Sequence, residues 1–385
     1  MRVLRNRAFW KAGMVVVAGL LGLAACGDDD GDRATAPGDS STDGSVEVAD
    51  ASGRLAELLE GTNLAPPSEG PEAVPDRSVW VISCGESNES CADFSSAAVE
   101  AAEALGWDTN LVDGNFDPVT AGDAIRQAVA DGADAVAWVA YDCAELQAPV
   151  DEALAAGLAV VGIFAMDCEE PAFVPFPYGP DGESFETFIH RYGYDRAEVV
   201  VTSSGEQVKV ITSPIVVTSA DTVQYEGFVE RLRDCAGCEI AATVEVGFEE
   251  LGVPGALEQK MGTALSQHPD AGVVVLGSDS LLFAGIQQAI ASSGRAADLS
   301  VYGSEGYPSG LDLVRDGTLE SVLALDARWM AWAAMDALNR HFADAEPAFG
   351  GFGWTLVTRE HNLPDDGPWD SSVDYRAAFR QVWGR

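Results

Sequence analysis

The residues of this chain best suited to do chemistry are acids and aromatics placed just beyond short apolar runs. Residues 273–276 (VVVL) lead into Ser278 and Asp279, and residues 299–302 lead into Gly303-Ser304-Glu305-Gly306. Upstream, residues 135–139 precede Tyr141 and Asp142, residues 158–164 end on Phe164 with Asp167 close behind, and residues 319–325 precede Asp326. A carboxylate accepts hydrogen bonds from hydroxyls and pairs with cations, and an aromatic ring stacks on an apolar face or holds a cation. That is binding chemistry. The chain has no GxSxG elbow, P-loop, HExxH pair or GxGxxG turn. Its four histidines, His190, His268, His341 and His361, are scattered away from the run ends. The expectation is a binder and not an enzyme, with no cofactor and no metal. The enzymatic alternative is a surface enzyme using paired carboxylates such as Asp279 and Glu305. Structural readings compete at each position. Asp279 is suited to capping its helix, Ser83, Glu86 and Asn88 to capping a loop, and Tyr141 and Phe164 to closing a core.

The periodicity supplies the elements that would position these side chains. Short buried runs at residues 79–83, 109–112, 135–139 and 158–164 alternate with helical patterns at 93–105, 119–130 and 144–155. After a proline-broken crossover at 173–178 and a helix over 184–201, the pattern restarts. Strands are predicted at 208–212, 242–246, 273–276, 299–302 and 319–325, with helices at 223–233, 257–267, 282–290, 309–315 and 329–340. The chain crosses back near 355–358, and Tyr375, Phe379 and Trp383 form a last apolar stripe. Alternating strands and helices predict an α/β fold with parallel, doubly wound sheets. Such sheets bind ligands beyond the carboxyl ends of their strands, where the acids fall.

Composition narrows the partners. With 62 acids against 22 bases, the formal net charge is −40, which repels nucleic acid and anionic lipid. Lysine occurs only as Lys11, Lys209 and Lys260, a pattern that suits a salty exterior. Residues 1–25 carry Arg2, Arg5, Arg7 and Lys11 before a short apolar stretch, as in a secretory signal. The closing Leu23-Ala24-Ala25-Cys26-Gly27 looks like a bacterial lipobox, which implies cleavage before Cys26 and a diacylglycerol anchor on its thiol. Residues 26–77, rich in Asp, Gly, Ser and Pro, read as an acidic disordered tether, within which Leu55 to Leu59 has the makings of one short docking helix. Six cysteines remain, in an oxidising compartment. Spacing suggests Cys84–Cys91, Cys143–Cys168 and Cys235–Cys238, although six cysteines permit other pairings.

Several marks together resemble a type I periplasmic binding protein of the ribose-binding branch, over about residues 78–357. They are the first strand ending in Ser83, Ala133-Asp134-Ala135, Asp142, Glu226-Gly227-Phe228, Gly277-Ser278-Asp279 and Gly303-Ser304-Glu305-Gly306. The resemblance implies two Rossmann-like lobes joined by a three-strand hinge, closing on a solute that passes to an ABC importer. It places the first lobe at 78–170, with 309–355 partly returning to it, the second at 180–308, and the hinge return and last helix at 356–385. Regulators of this fold carry a DNA-binding helical domain where this chain has its tether. The sugar binders' Asp-Arg pair falls near Phe164 and Ala165 here. The arginine of their Arg-x-x-Gly-Phe is Gln224, the asparagine before the lobe-two acid is Ser278, the aspartate of Gly-Phe-Asp-Gly is Glu305, and a glutamine falls near Ala324. Phe116, Tyr141, Phe164 and Trp329 supply aromatics near the cleft. The expected ligand contacts are Ser83, Glu86, Asn88, Tyr141, Asp142, Phe164, Gln224, Asp279, Glu305 and Asp326. The expected protein is a monomeric lipoprotein, outside the cytoplasm and anchored through Cys26. It hands a sugar-like solute to a permease, or signals the presence of a ring-bearing or cationic one.

Overall fold

The structure is a computed structural model and describes residues 53–385 apart from 206, 248, 249, 251 and 252. The leader, Cys26 and the first half of the expected tether lie outside the described residues. Two parallel sheets organise the rest. The first contains β1 (Ser78–Ser83), β2 (Asp108–Asp113), β3 (Ala135–Val139) and β4 (Ala159–Ile163), in the order β2-β1-β3-β4. β3 and β4 are buried along their whole length, as their unbroken apolar sequences require, whereas β2 sits at the edge and is exposed or half-buried throughout. The second sheet contains β5 (Lys209–Ser213), β6 (Glu239–Thr243), β7 (Val273–Leu276), β8 (Ser300–Tyr302), β9 (Ser321–Leu325) and β10 (Trp354–Thr358), in the order β10-β9-β8-β7-β5-β6. Only β10 runs antiparallel, with Trp354 opposite Leu325 and Thr358 opposite Ser321. Strand order reverses beside β1 in one sheet and beside β5 in the other, which opens a crevice at each carboxyl edge.

Local chemistry sets the helix ends. A helix at residues 53–60 (α1) precedes α2 (Glu89–Leu105), α3 (Pro118–Asp131), α4 (Gln147–Ala156), α5 (Phe185–Ser204) and α6 (Ser219–Asp234). α2 begins four residues before the expected Asp93, because the Asn88 side chain accepts from the Ser90 and Cys91 amides and so caps the helix there. Thr218 and Asp221 form a reciprocal capping box on α6. After α7 (Ala256–Gln267), α8 (Ile286–Ser293) and α9 (Pro308–Asp316) comes α10 (Ala327–Phe342), buried over nearly its whole length. It lies between β9 and β10 in sequence yet packs on α2 and β4 of the first lobe. The chain therefore crosses between lobes after β4, on either side of α10, and again after β10, before α11 (Tyr375–Val382) docks on α10. Trp332 stacks on Trp383 with ring centroids 5.4 Å apart, and Trp329 stacks on Tyr375 at 5.0 Å. These rings weld the C-terminal helix to the first lobe.

The segment before β1 departs from the expectation of a free tether reaching residue 77. From residue 53 the chain is folded onto the body. Leu58 is fully buried, and Arg54 pairs with Asp195 of α5. The Thr62 amide and hydroxyl both donate to the Trp354 carbonyl, the Asn63 side chain donates to Asp326 (3.1 Å), and the Leu64 amide donates to Gly351 (2.7 Å). Further on, the Val74 amide donates to Asn339 of α10 and the Ala73 amide to Trp383. This strap runs from the second lobe past the crossings to the first. It fits closely because Gly353 has no side chain: a Cβ there would sit 2.5 Å from the Thr62 hydroxyl and 2.7 Å from the Asn63 nitrogen. All three spaced cysteine pairs form disulfides: Cys84–Cys91, Cys143–Cys168 and Cys235–Cys238. Among the described residues, no helix is long and apolar enough to cross a membrane.

Candidate functional site

The carboxyl edges of the two sheets meet. The Ser90 hydroxyl at the start of α2 lies 2.8 Å from the Tyr307 hydroxyl before α9, and Ser309 donates to Glu89 at 2.6 Å. Asp142, beyond β3, accepts from the Ser219 amide at the start of α6 (2.9 Å), where the helix dipole favours an anion. The loops between these contacts hold their backbones in costly conformations. Among the described residues, eight non-glycine residues have positive φ, and five of them, Asn115, Phe116, Ala140, Phe164 and Glu305, lie in loops at the carboxyl edges. Such backbones cost about 1–3 kcal/mol each and persist where function or packing over-determines them.

Glu305 is the centre of the second lobe's half. At φ 70°, flanked by Gly306, it extends the β8–β9 ladder by a bridge to Ala324. Its carboxylate accepts from the Ser278 hydroxyl (2.9 Å), and its amide donates to the Tyr192 hydroxyl (3.3 Å), which itself donates to the Leu323 carbonyl (2.7 Å). Asp279 does not cap the short 3₁₀ turn it begins. Its Oδ1 accepts from the Ser304 amide (2.6 Å), so it ties the end of β7 to the loop after β8, while its buried Oδ2 has no partner. Gly303 and Gly310 leave room for this carboxyl, since a Cβ on either would collide with it. Burial pushes Asp279 up to about 7. Burial, with the Asp279 charge beside it, pushes Glu305 up to about 8. Arg196 of α5 offsets part of this. Its guanidinium donates to the Leu276 carbonyl, and its Nε is buried without a partner. Arg196, Asp221 and Gln224 line one recess between β5, α6 and β7.

The first lobe's expected contacts divide. The Glu86 carboxylate accepts from Ser95 (2.7 Å) in the loop after β1, on the cleft side, and Phe164 packs between Phe94 (5.7 Å) and Phe185 (5.4 Å) across the crossover. Ser83 is fully buried, its hydroxyl accepting from the Gly85 amide, and Asn88 is spent on capping. Tyr141 is buried with its hydroxyl donating to the Cys84 carbonyl (3.0 Å), and burial holds its pKa well above the usual phenol range. Asp167 accepts from the Cys168, Ala172 and Phe173 amides and so shapes its own loop. Trp329, expected near the cleft, is in the core, its indole donating to the Gly350 carbonyl (2.7 Å). Asp326 sits at the crossing between β9 and α10. Its Oδ2 accepts from the Gly353 amide (2.8 Å) and Asn63, and its buried Oδ1 has no partner. Sequence reasoning missed Tyr192, Arg196 and Tyr307. The signal for the first two was a tyrosine and an arginine four apart on a helix that runs on into Ala197 and Val199–Val201.

Comparison with known proteins gives this geometry a family. A sequence profile described as a periplasmic binding protein domain matches residues 79–346. A glucose-galactose binding protein from Geobacillus stearothermophilus is 16% identical with a TM-score of 0.63, over 76% of this chain and 100% of that one. An ABC transporter solute binding protein from Actinobacillus succinogenes with bound D-allose is 14% identical with a TM-score of 0.63, over 74% and 98%. One from Burkholderia graminis in complex with D-arabinose is 17% identical with a TM-score of 0.63, over 77% and 100%. No curated protein sequence matches the chain. The structural likenesses give the two-lobed α/β fold, and members of this family bind solutes without transforming them. With most of its body inside the matched region, the chain belongs to the periplasmic binding protein family.

Proposed function

We propose that this protein is the solute-binding receptor of an ABC importer, working outside the cytoplasm and anchored by lipid on Cys26. It captures a small sugar or sugar-like solute between its lobes and delivers it to a permease. The observation that carries the reading is Glu305, a carboxylate on a strained, glycine-flanked backbone where the two carboxyl edges meet. Glu86, Phe164, Gln224 and Arg196 stand around the same cleft as further contacts. The ligands named for the structural relatives, D-allose and D-arabinose among them, support the solute class. The lipobox-like Leu23-Ala24-Ala25-Cys26 supports the anchor.

The test is a thermal-shift screen of the purified protein against pentoses, hexoses, polyols and nucleosides. A true ligand at 100 times its Kd adds about 2.7 kcal/mol to stability. A sugar or polyol hit supports the reading, and a response confined to nucleosides replaces the solute class. The anchor is tested separately by Cys26→Ala, which should move the protein from the membrane fraction into the soluble one and abolish incorporation of labelled fatty acid.

A further inference from the structure

Beside Glu305 a second, small recess opens, lined by Asp93, Glu305, Tyr307, Asp326, Arg328 and Trp369 among others. Its charges do not balance. Arg328 is committed to Asp93, whose oxygen it engages at 2.5–2.6 Å. Glu305 and Asp326 have no base of their own in the recess. Asp326 is 3% exposed, and its Oδ1 is buried with no partner although Oδ2 makes two hydrogen bonds. A buried carboxylate oxygen in that state needs a donor, and a charged donor most of all. A metal ion does not fit. Among the described residues, the one group of acid, cysteine or histidine atoms close enough to hold an ion is Cys143, Asp167 and Cys168, where both sulfurs are in a disulfide. The recess carboxylates form no such group, whereas an organic ammonium offers several N–H donors in different directions. The space at the centre of the recess holds about one water-sized group, which is also the size of an ammonium. The rings of Tyr307 and Trp369 suit the polarised carbons around a cation.

We propose that this recess receives the protonated amine of the captured solute, so that the solute is an amino sugar or amino polyol and not a neutral sugar. The proposal rests on the solute-receptor reading above. It is tested by calorimetric titration of the whole protein with matched pairs: glucosamine against glucose, galactosamine against galactose, 6-amino-6-deoxyglucose against glucose, and glucamine against glucitol, with N-acetylglucosamine as the uncharged control. The expected result is one amine at least about tenfold tighter than its hydroxyl twin, equivalent to 1.4 kcal/mol, with the preference weakened by salt and lost on acetylation. Glu305→Gln and Asp326→Asn should each remove the preference, so that the amine and its hydroxyl twin bind the same variant with equal affinity. Asn at 326 keeps an oxygen for the Gly353 amide. If that variant fails to fold, Glu305→Gln alone decides. A hydroxyl twin as tight as its amine overturns the proposal and leaves the receptor reading standing. No binding by any member of either set overturns both.

Discussion

At the residue scale the molecule stores three carboxyls in a state they would not adopt in water. Burial lifts Asp279 and Asp326 to about 7 and Glu305 to about 8, the last also raised by Asp279. In the unfolded chain they titrate near the ordinary value of about 4. Between these values the folded protein binds more protons than the unfolded one, so stability falls as pH rises through the window. The contribution is whole below about pH 4 and gone above about pH 8. The ligand-free protein should therefore melt higher at pH 5.5 than at pH 8.5. Asp279→Asn, which keeps an oxygen for the Ser304 amide, should flatten that slope. A wild-type melting temperature that stays level or climbs from 5.5 to 8.5 would contradict this account. The sequence showed that acids stand after strands. It did not show which of them are buried, because burial depends on Gly303 and Gly310 leaving space that two other loops happen to border.

At the element scale the strap is the main departure from what the residues suggested. Its composition is that of a tether, and the one strongly apolar feature is the short Leu55–Leu59 run that became α1. What holds it is mostly backbone: amides of Thr62, Leu64 and Ala73 donating to carbonyls of Trp354, Gly351 and Trp383. Composition cannot reveal such bonds, since they need partner carbonyls that are brought into place only by folding. Two outcomes follow. Leu58→Ala should cost about 2–5 kcal/mol, read by chemical denaturation, because Leu58 is wholly enclosed. Gly353→Ala should lift the strap without emptying the core, and hydrogen exchange should then quicken at the Thr62 and Leu64 amides while β1 and β3 stay protected. Unchanged exchange at both amides would mean that the strap is held elsewhere.

At the scale of the whole molecule, the lobes touch through a few polar contacts from loops that follow β1, β3, β5 and β8. The Ser90–Tyr307, Glu89–Ser309 and Asp142–Ser219 pairs cross from one lobe to the other. Each neutral hydrogen bond is worth about 1 kcal/mol, so Tyr307→Phe should speed solute release about fivefold and leave the association rate nearly unchanged. Stopped-flow release kinetics check this. An effect confined to association would place Tyr307 in the entry path and not in the latch.

The chain's own order of residues determined the alternation of strands and helices, the doubly wound sheets, the cysteine pairs and the sheet edge at which the candidate contacts stand. These follow from local periodicity, caps and short-range spacing, which tertiary contacts rarely overrule when they agree. Glu305 stood out as a candidate because its loop carries Gly303 and Gly306, and Phe164 because it follows directly on a strand. The tertiary structure decided the rest. It withdrew Ser83, Asn88 and Tyr141 into packing or caps, placed Asp326 at the crossing, drew Arg196 and Tyr192 toward the site from a helix with no expected site residue, and folded residues 53–77 across both lobes. Each of those outcomes depends on groups far apart in sequence competing for the same hydrogen-bond partners and the same buried space, and no local pattern records which of them wins.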